Sequence, residues 1–249
     1  MRFRPCIDLH DGVVKQIVGS TLTTDGQSLA TNFVAANSPA WFAALYRRDK
    51  LPGGHVIKLG PGNDEAAREA LSAWPGGMQI GGGITEGNAR EWLDAGASHV
   101  IVTSYVFRDG RVDFDRLKKL VAAIGKERLV LDLSCRKRGD EYVIVTDRWQ
   151  KFTETTISPE TLTGLASFCD EFLVHAADVE GKCAGIELPL VDLLAAYCPI
   201  AVTYAGGIRD MADIKLIASH GQGRVDFTVG SALDIFGGKL AYKSLVDWK

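Results

Sequence analysis

The chain has 249 residues, of which 24% are charged and 46% hydrophobic, and its formal net charge is −3. That length suits one large domain or two small ones. The near-neutral balance argues against a nucleic-acid partner, which calls for a basic excess. No apolar run is long enough to cross a bilayer, and Met1-Arg2-Phe3-Arg4 leads straight into a strand-like segment. The expectation is therefore a protein with no membrane partner and no signal peptide, located in the cytoplasm. Five dispersed cysteines (Cys6, Cys135, Cys169, Cys183 and Cys198) form no CxxC pair. They read as reduced thiols, not as a disulfide framework or a metal site.

Short apolar runs recur at 3–8, 55–60, 78–81, 99–104, 129–134, 171–176, 201–205 and 225–230. Most are nearly continuous and rich in Val and Ile, as strands buried on both faces should be. Amphipathic segments separate them. Asn63-Asp64-Glu65 opens one, with Ala67, Leu71 and Trp74 on one face. Thr85-Glu86-Gly87-Asn88 opens another, whose apolar stripe includes Trp92 and Leu93. Ser158-Pro159 is a helix start with Ser at the cap and Pro in the first turn, and Asp210 caps a helix over 211–220. Alternating β and α segments predict a parallel sheet. Eight strand signals, and no GxGxxG after the first, favour a closed (β/α)8 TIM barrel over an open doubly wound sheet.

The two halves of the chain repeat. Ile7-Asp8-Leu9 matches Leu131-Asp132-Leu133, and Gly82-Gly83-Ile84 matches Gly206-Gly207-Ile208, both at an offset of 124 residues. Val102-Thr103-Ser104 resembles Val229-Gly230-Ser231 at an offset of 127. The reading is a single barrel domain, 1–249, fused from half-barrels of about 1–124 and 125–249.

Barrel active sites sit at the C-terminal ends of the strands, where this pattern places Asp8 and Asp132. A lone Asp there serves equally as a cap or turn former. A facing pair can instead divide the roles of acid and base. The glycine-rich ends have a phosphate logic, because successive backbone N–H groups form a concave donor set. Gly82 and Gly83 with Thr103 and Ser104 make one candidate cradle; Gly206 and Gly207 with Gly230 and Ser231 make the other. The combination implies a small ligand with a phosphate at each end. Lys15 and Arg136 either contact that ligand or lie solvated on the surface. An insert over 135–149 carries a charged stretch, 136–141, then a strand-like 142–146, and ends at Trp149. Inserts of this length are functional or mobile. The charged part is expected to be loosely held until ligand draws the insert over the mouth.

These residues carry a family resemblance. The opening 4–15 (RPCIDLHDGVVK) resembles the start of the histidine-biosynthesis isomerases that convert the ProFAR aminoaldose to the PRFAR aminoketose. The stretches 55–63 (HVIKLGPGN), 79–84 (QIGGGI), 131–136 (LDLSCR), Trp149-Gln150, 173–181 (LVHAADVEG) and 204–208 (YAGGI) resemble the eukaryotic branch. The resemblance implies an Amadori rearrangement that needs no cofactor, neither metal nor nicotinamide. It makes Asp132 the general acid that helps open the ribose ring and Asp8 the base that removes the C2 proton. It supports both phosphate sites in binding a bisphosphorylated ribotide. It also makes Trp149 a stacking partner for the imidazole carboxamide, against the alternative of a Trp that anchors the loop. Where the bacterial pattern ends strand 6 in a Thr-Asp pair and continues to an Asp-Gly-Thr motif, this chain has His175 in the Thr position, then 176–181 (AADVEG). A substrate contact from that position would come from His175.

Two related barrels compete. The cyclase subunit of imidazole-glycerol-phosphate synthase shares the duplication and the Asp pair, but Leu-Ser-Cys-Arg and Trp149-Gln150 favour the isomerase. Phosphoribosyl anthranilate isomerases use a Cys–Asp pair, and Cys6 shares Asp8's side of strand 1. A non-catalytic barrel that only binds phosphorylated ligands is the third reading. A monomer is expected.

Overall fold

The continuous apolar runs become the inner wall of a barrel. A computed structural model describes residues 1–18 and 31–248 of the chain. Its strands are β1 (Cys6–His10), β2 (Gly54–Lys58), β3 (Met78–Gly81), β4 (Val100–Val102), β5 (Leu129–Asp132), β6 (Glu171–His175), β7 (Ala201–Ala205) and β8 (Val225–Phe227). They pair parallel in chain order. The ring closes where Arg4 N–H donates to the Phe227 carbonyl at 2.8 Å and Phe227 N–H to the Arg2 carbonyl at 3.1 Å. An antiparallel hairpin, Val13–Ile17 with Thr31–Val34, extends the sheet from β1.

A helix follows each strand among the described residues: α1 (Pro39–Arg48), α2 (Asp64–Ala73), α3 (Ala89–Asp94), α4 (Phe114–Ile124), α5 (Pro159–Ala166), α6 (Leu188–Tyr197), α7 (Met211–His220) and α8 (Tyr242–Val246). Local signals set their starts. Ser158 Oγ accepts from Thr161 N–H, and Asp210 accepts from the N–H groups of Ala212 and Asp213. Both satisfy donors that a first helical turn leaves unpaired. Asn63 precedes α2 but does not cap it; its side chain accepts from Gly12 N–H and donates to the Gly60 carbonyl. It thus ties the loop after β1 to the loop after β2. No helix among the described residues is long and apolar enough to cross a membrane.

Alternation sorts each strand's residues. One set packs outward under the helices, including Ile7, Leu9, Val56, Ile80, Phe172 and Val174, all fully buried. The other set stacks inside the barrel in layers. The lowest layer is polar: Arg4 pairs with Asp226 at 2.8 Å and Glu171 at 3.3 Å, and Gln79 and Thr203 donate to Glu171. Above it lies an apolar plug of Ile57, Ile101, Val130, Leu173 and Ala205. The plug separates the buried charges below from the polar groups at the mouth. Several strands end earlier than their runs suggest. β4 stops at Val102 and β8 at Phe227, because the next residues leave the ladder to line the mouth.

Candidate active site

The C-terminal ends of the strands surround a cavity of about 730 Å³. Asp8 and Asp132 both line it. They stand on β1 and β5, four places apart in a ring of eight, and therefore on opposite walls. Trp149, His175, and all eight residues of the two glycine-rich ends (Gly82, Gly83, Thr103, Ser104, Gly206, Gly207, Gly230, Ser231) line it as well. Lys15 does not. Its ammonium lies 2.7 Å from Asp11 and 3.3 Å from His10, held on the hairpin outside the cavity lining. Arg136 is likewise engaged elsewhere, donating to Asp178 at 2.7 Å.

The glycines at the two ends are conformational necessities. Gly82 has φ +92°, and a Cβ there would lie 2.2 Å from the Lys58 carbonyl oxygen. Gly206 has φ +116°, and its Cβ would meet the Ala176 carbonyl at 2.9 Å. In both places the chain turns tightly against the preceding strand's end, a turn open only to Gly.

The insert after β5 forms a three-stranded antiparallel ribbon, Cys135–Arg138, Glu141–Thr146 and Lys151–Thr156. The charged stretch is thus part of the ribbon and not a loosely held preface to it. Two of its side chains have partners: Arg136 pairs with Asp178, and both Arg136 and Arg138 lie over the Phe152 ring. At the tip, Asp147, Arg148 and Trp149 are all left-handed, with φ of 51°, 60° and 65°. Each such residue costs about 1–2 kcal/mol. Asp147 N–H donates to Ser104 Oγ at 3.1 Å, pinning the tip to the rim, and the indole meets the His175 ring at 5.6 Å.

The two aspartates have different surroundings. Asp8 accepts from Gln16 Nε2 at 3.0 Å. Burial, reinforced by the charge of Glu180, pushes its carboxyl up to about 6. Asp132 accepts from Ser134 N–H (2.9 Å), Ser134 Oγ (2.7 Å) and Thr103 Oγ1 (3.2 Å), and faces His175 Nδ1 at 3.4 Å. Burial alone would raise it, but the charge of His175 and these hydrogen bonds hold it below the usual carboxylate range. Burial opposes charge on His175, yet Asp132 first, then Glu180 and Asp8, raise it to about 9. His55, deeper in the barrel, is pushed down to about 3 by burial and by His175. Cys6 is driven well above the usual thiol value by burial and then by Asp8 and Glu180. That leaves it no thiolate at neutral pH and weakens the Cys–Asp reading.

Four groups at this site escape a reading of the sequence alone: Gln16, His55, Lys58 and Glu180. Glu180 lies within the 173–181 stretch that departs from the bacterial pattern, so an acid there was visible as a signal. Gln16 had none. It is a buried polar residue on the hairpin, donating to Asp8 and accepting from Ser231 Oγ at 3.4 Å.

An eight-stranded barrel of this kind, with its polar groups gathered at one mouth, defines a class, and comparison with known proteins places the chain within it. The family described as "Histidine biosynthesis protein" matches residues 2–240, and the chain belongs to that family. Its relatives include a chloroplastic 1-(5-phosphoribosyl)-5-((5-phosphoribosylamino)methylideneamino) imidazole-4-carboxamide isomerase of Medicago truncatula, 57% identical over 100% of this chain and 81% of the relative. The isomerase of the same name from Neurospora crassa is 52% identical over 99% of this chain and 98% of its own length. That of Saccharomyces cerevisiae is 46% identical over 96% and 94%.

Proposed function

We propose that this protein is an aldose–ketose isomerase of histidine biosynthesis, converting the ProFAR aminoaldose to the PRFAR aminoketose. The observation that carries the reading is the placement of Asp8 and the Asp132–His175 pair on opposite walls of one cavity, between the two glycine-rich ends. The end-to-end similarity to isomerases of that name supports it. The duplicated halves, 1–124 and 125–249, supply one end each, and the protein works as a monomer in the cytoplasm.

The chemistry follows from the positions. A phosphate held at each end stretches the ribotide across the mouth and brings the aminated ribose over the barrel axis. Fixing both ends leaves little freedom at the reacting carbons. Opening the sugar ring needs a proton at the ring oxygen, supplied from the Asp132 side. Forming the enaminol needs removal of the C2 proton, for which Asp8 is suited. With its carboxyl at about 6 it is ionised at neutral pH, yet more basic than an ordinary carboxylate. The apolar plug and the ribbon keep water from the Schiff base.

Supplying ProFAR and scoring PRFAR formation tests the reading, with the cyclase and phosphoribosyl anthranilate substrates as controls. Turnover of anthranilate substrate alone would overturn it. Because the base must be ionised, kcat/KM should rise with pH through about 6. An acid limb at the usual carboxylate value would remove Asp8 from that role. In this reading the indole of Trp149, which lines the cavity beside His175, stacks on the substrate's imidazole, a contact worth about 0.5–1.5 kcal/mol beyond burial. Trp149→Ala should therefore raise KM by roughly 2- to 10-fold while leaving competition by inorganic phosphate unchanged. An unaltered KM would return the residue to the role of a loop anchor.

A further inference from the structure

We propose that Gln16 is the positioning residue of the base: it fixes the Asp8 carboxylate and registers it against the phosphate end at Ser231, and Gly230 is a glycine because the Gln16 amide occupies the place of its side chain. The proposal rests on the isomerase reading above and leaves the roles of the two aspartates as they stand.

Gln16 lies on the hairpin strand Val13–Ile17 and is only 3% exposed. A buried amide must spend its donors and its acceptor within the protein. Gln16 spends them in opposite directions. Nε2 donates to Asp8 Oδ2 at 3.0 Å, and Oε1 accepts from Ser231 Oγ at 3.4 Å. Ser231 Oγ in turn accepts from Asn32 Nδ2 at 3.1 Å, and Asn32 Nδ2 also donates to the Gly181 carbonyl at 2.9 Å. Chemistry forces the orientation of the Gln16 amide, because an ionised carboxylate only accepts. A continuous line of hydrogen bonds thus runs from the phosphate end, through Gln16, to the base.

Gly230 shows how closely this strut is fitted. Its φ lies outside the left-handed region, so its backbone does not call for glycine. The space around it does. A Cβ there would lie 2.3 Å from Gln16 Oε1 and 3.3 Å from Gln16 Cδ. At Gly82 the obstacle is a main-chain carbonyl; at Gly230 it is the tip of one side chain, which can move. The tip is also the part that holds Asp8.

An amide suits this task better than a cation. With Oδ2 held by Gln16, Oδ1 is the oxygen left to take the C2 proton. The C2–H pair then becomes the C1=C2 bond, and the C=N pair returns to nitrogen. A neutral donor fixes the carboxylate at a modest cost in basicity, and burial with Glu180 still carries it to about 6. A cation in the same place would hold Asp8 ionised and weaken it as a base. The titratable groups facing Asp8 are Glu180 from the loop after β6, His175 from β6 and Cys6 from β1 itself. From β2, beside β1, His55 and Lys58 also line the mouth. Burial and His175 keep His55 neutral, and Lys58 is paired with Asp64 at 2.8 Å. The segment 228–232 after β8, on the other side, carries no charge.

Carboxyl-carbon NMR of the ligand-free protein reads the strut without substrate. Asp8 should titrate at about 6 in the original protein. It should move up in Gln16→Leu, which loses the donor, and down in Gln16→Lys, which puts a cation there. Gly230→Ala should stay folded and move Asp8 up as Gln16→Leu does, because the methyl displaces the amide. With ProFAR as substrate, Gln16→Leu should lower kcat by roughly 10- to 100-fold with little change in KM, the pattern of a misplaced base. The acid limb of kcat/KM should follow the NMR value in each variant. Gly230→Ala should lower kcat similarly, yet add little in a Gln16→Ala background, where the methyl has nothing to displace. An Asp8 titration indifferent to all three single substitutions, or Gln16→Leu with near-normal kcat, would overturn the proposal. Original protein that fails to convert ProFAR while Asp8 shifts as stated would sink the isomerase reading and leave the Gln16–Asp8 strut standing.

Discussion

Asp8→Asn should abolish most turnover and leave a protein at least as stable as the original. The two substituents are nearly isosteric, and the amide oxygen can still accept from Gln16 Nε2, which now lies 3.0 Å from Asp8 Oδ2. What disappears is the base, worth roughly 10²–10⁴ in rate. Stability should move the other way. The folded carboxyl sits at about 6, above its ordinary value, because burial and Glu180 disfavour the charge. A carboxyl raised by folding is more stable folded when protonated, and that advantage is lost as pH rises through about 6. At neutral pH the ionised Asp8 therefore weakens the fold, by something on the order of 3 kcal/mol. Asn removes that penalty. Asp132→Asn should have the opposite sign, since folding lowers Asp132 and four donors would then face a neutral amide. Its stabilising contribution exists above the unfolded carboxylate value and fades as pH falls. Thermal melts of both variants at neutral pH, beside their kcat values, check the pair. Asp8→Asn with full turnover, or both variants shifting Tm in one direction, would contradict this picture.

Gly82→Ala should cost binding far more than Gly83→Ala, although both residues line the same end of the cavity. At Gly82 the backbone is left-handed with φ +92°, and the new methyl would lie 2.2 Å from the Lys58 carbonyl oxygen. A carbonyl in a strand cannot swing aside as a flexible side chain can. The strand end must shift, carrying with it the N–H groups proposed to hold phosphate. The dihedral alone costs about 1–3 kcal/mol, and displaced donors would add a rise in KM of at least roughly tenfold, the value of one lost charge-assisted hydrogen bond. At Gly83, φ is +70° but a Cβ would meet nothing within 4 Å. Only the dihedral cost applies there. Comparing KM, Tm and inhibition by inorganic phosphate for the two variants separates the effects. Equal losses in both would mean that backbone shape at Gly82 does not govern this end.

The barrel was legible because its signals are local. Runs buried on both faces cannot alternate, so 171–176 and 201–205 read as strands from composition. Ser158 and Asp210 announced α5 and α7 through capping chemistry that spans three residues. The candidate site was legible where a local motif occurs twice. Asp8 with Asp132, and Gly82-Gly83 with Gly206-Gly207, mark equivalent strand ends at one spacing, and the closed ring then sets each pair on opposite walls. Lys15 shows the limit of this reasoning. The sequence left it between a ligand contact and solvated surface, and in the fold it pairs with Asp11, four residues earlier, outside the cavity lining.

By itself, then, the sequence determined the order of β and α elements, the eight-strand closure they imply, and which strand ends carry carboxylates and glycines. Hydrophobic periodicity, capping and turn chemistry act over a few residues, and each leaves its mark there. The tertiary structure alone decided how the carboxylates differ. Asp8 is raised first by burial itself and then by the charge of Glu180, which lies 172 positions along the chain. Asp132 is lowered because His175, ending the next barrel strand, and Thr103, just past the end of the preceding one, both reach it. Charge–charge and hydrogen-bond energies depend on distance in space, and the closing of the barrel, not the spacing of residues along the chain, sets those distances.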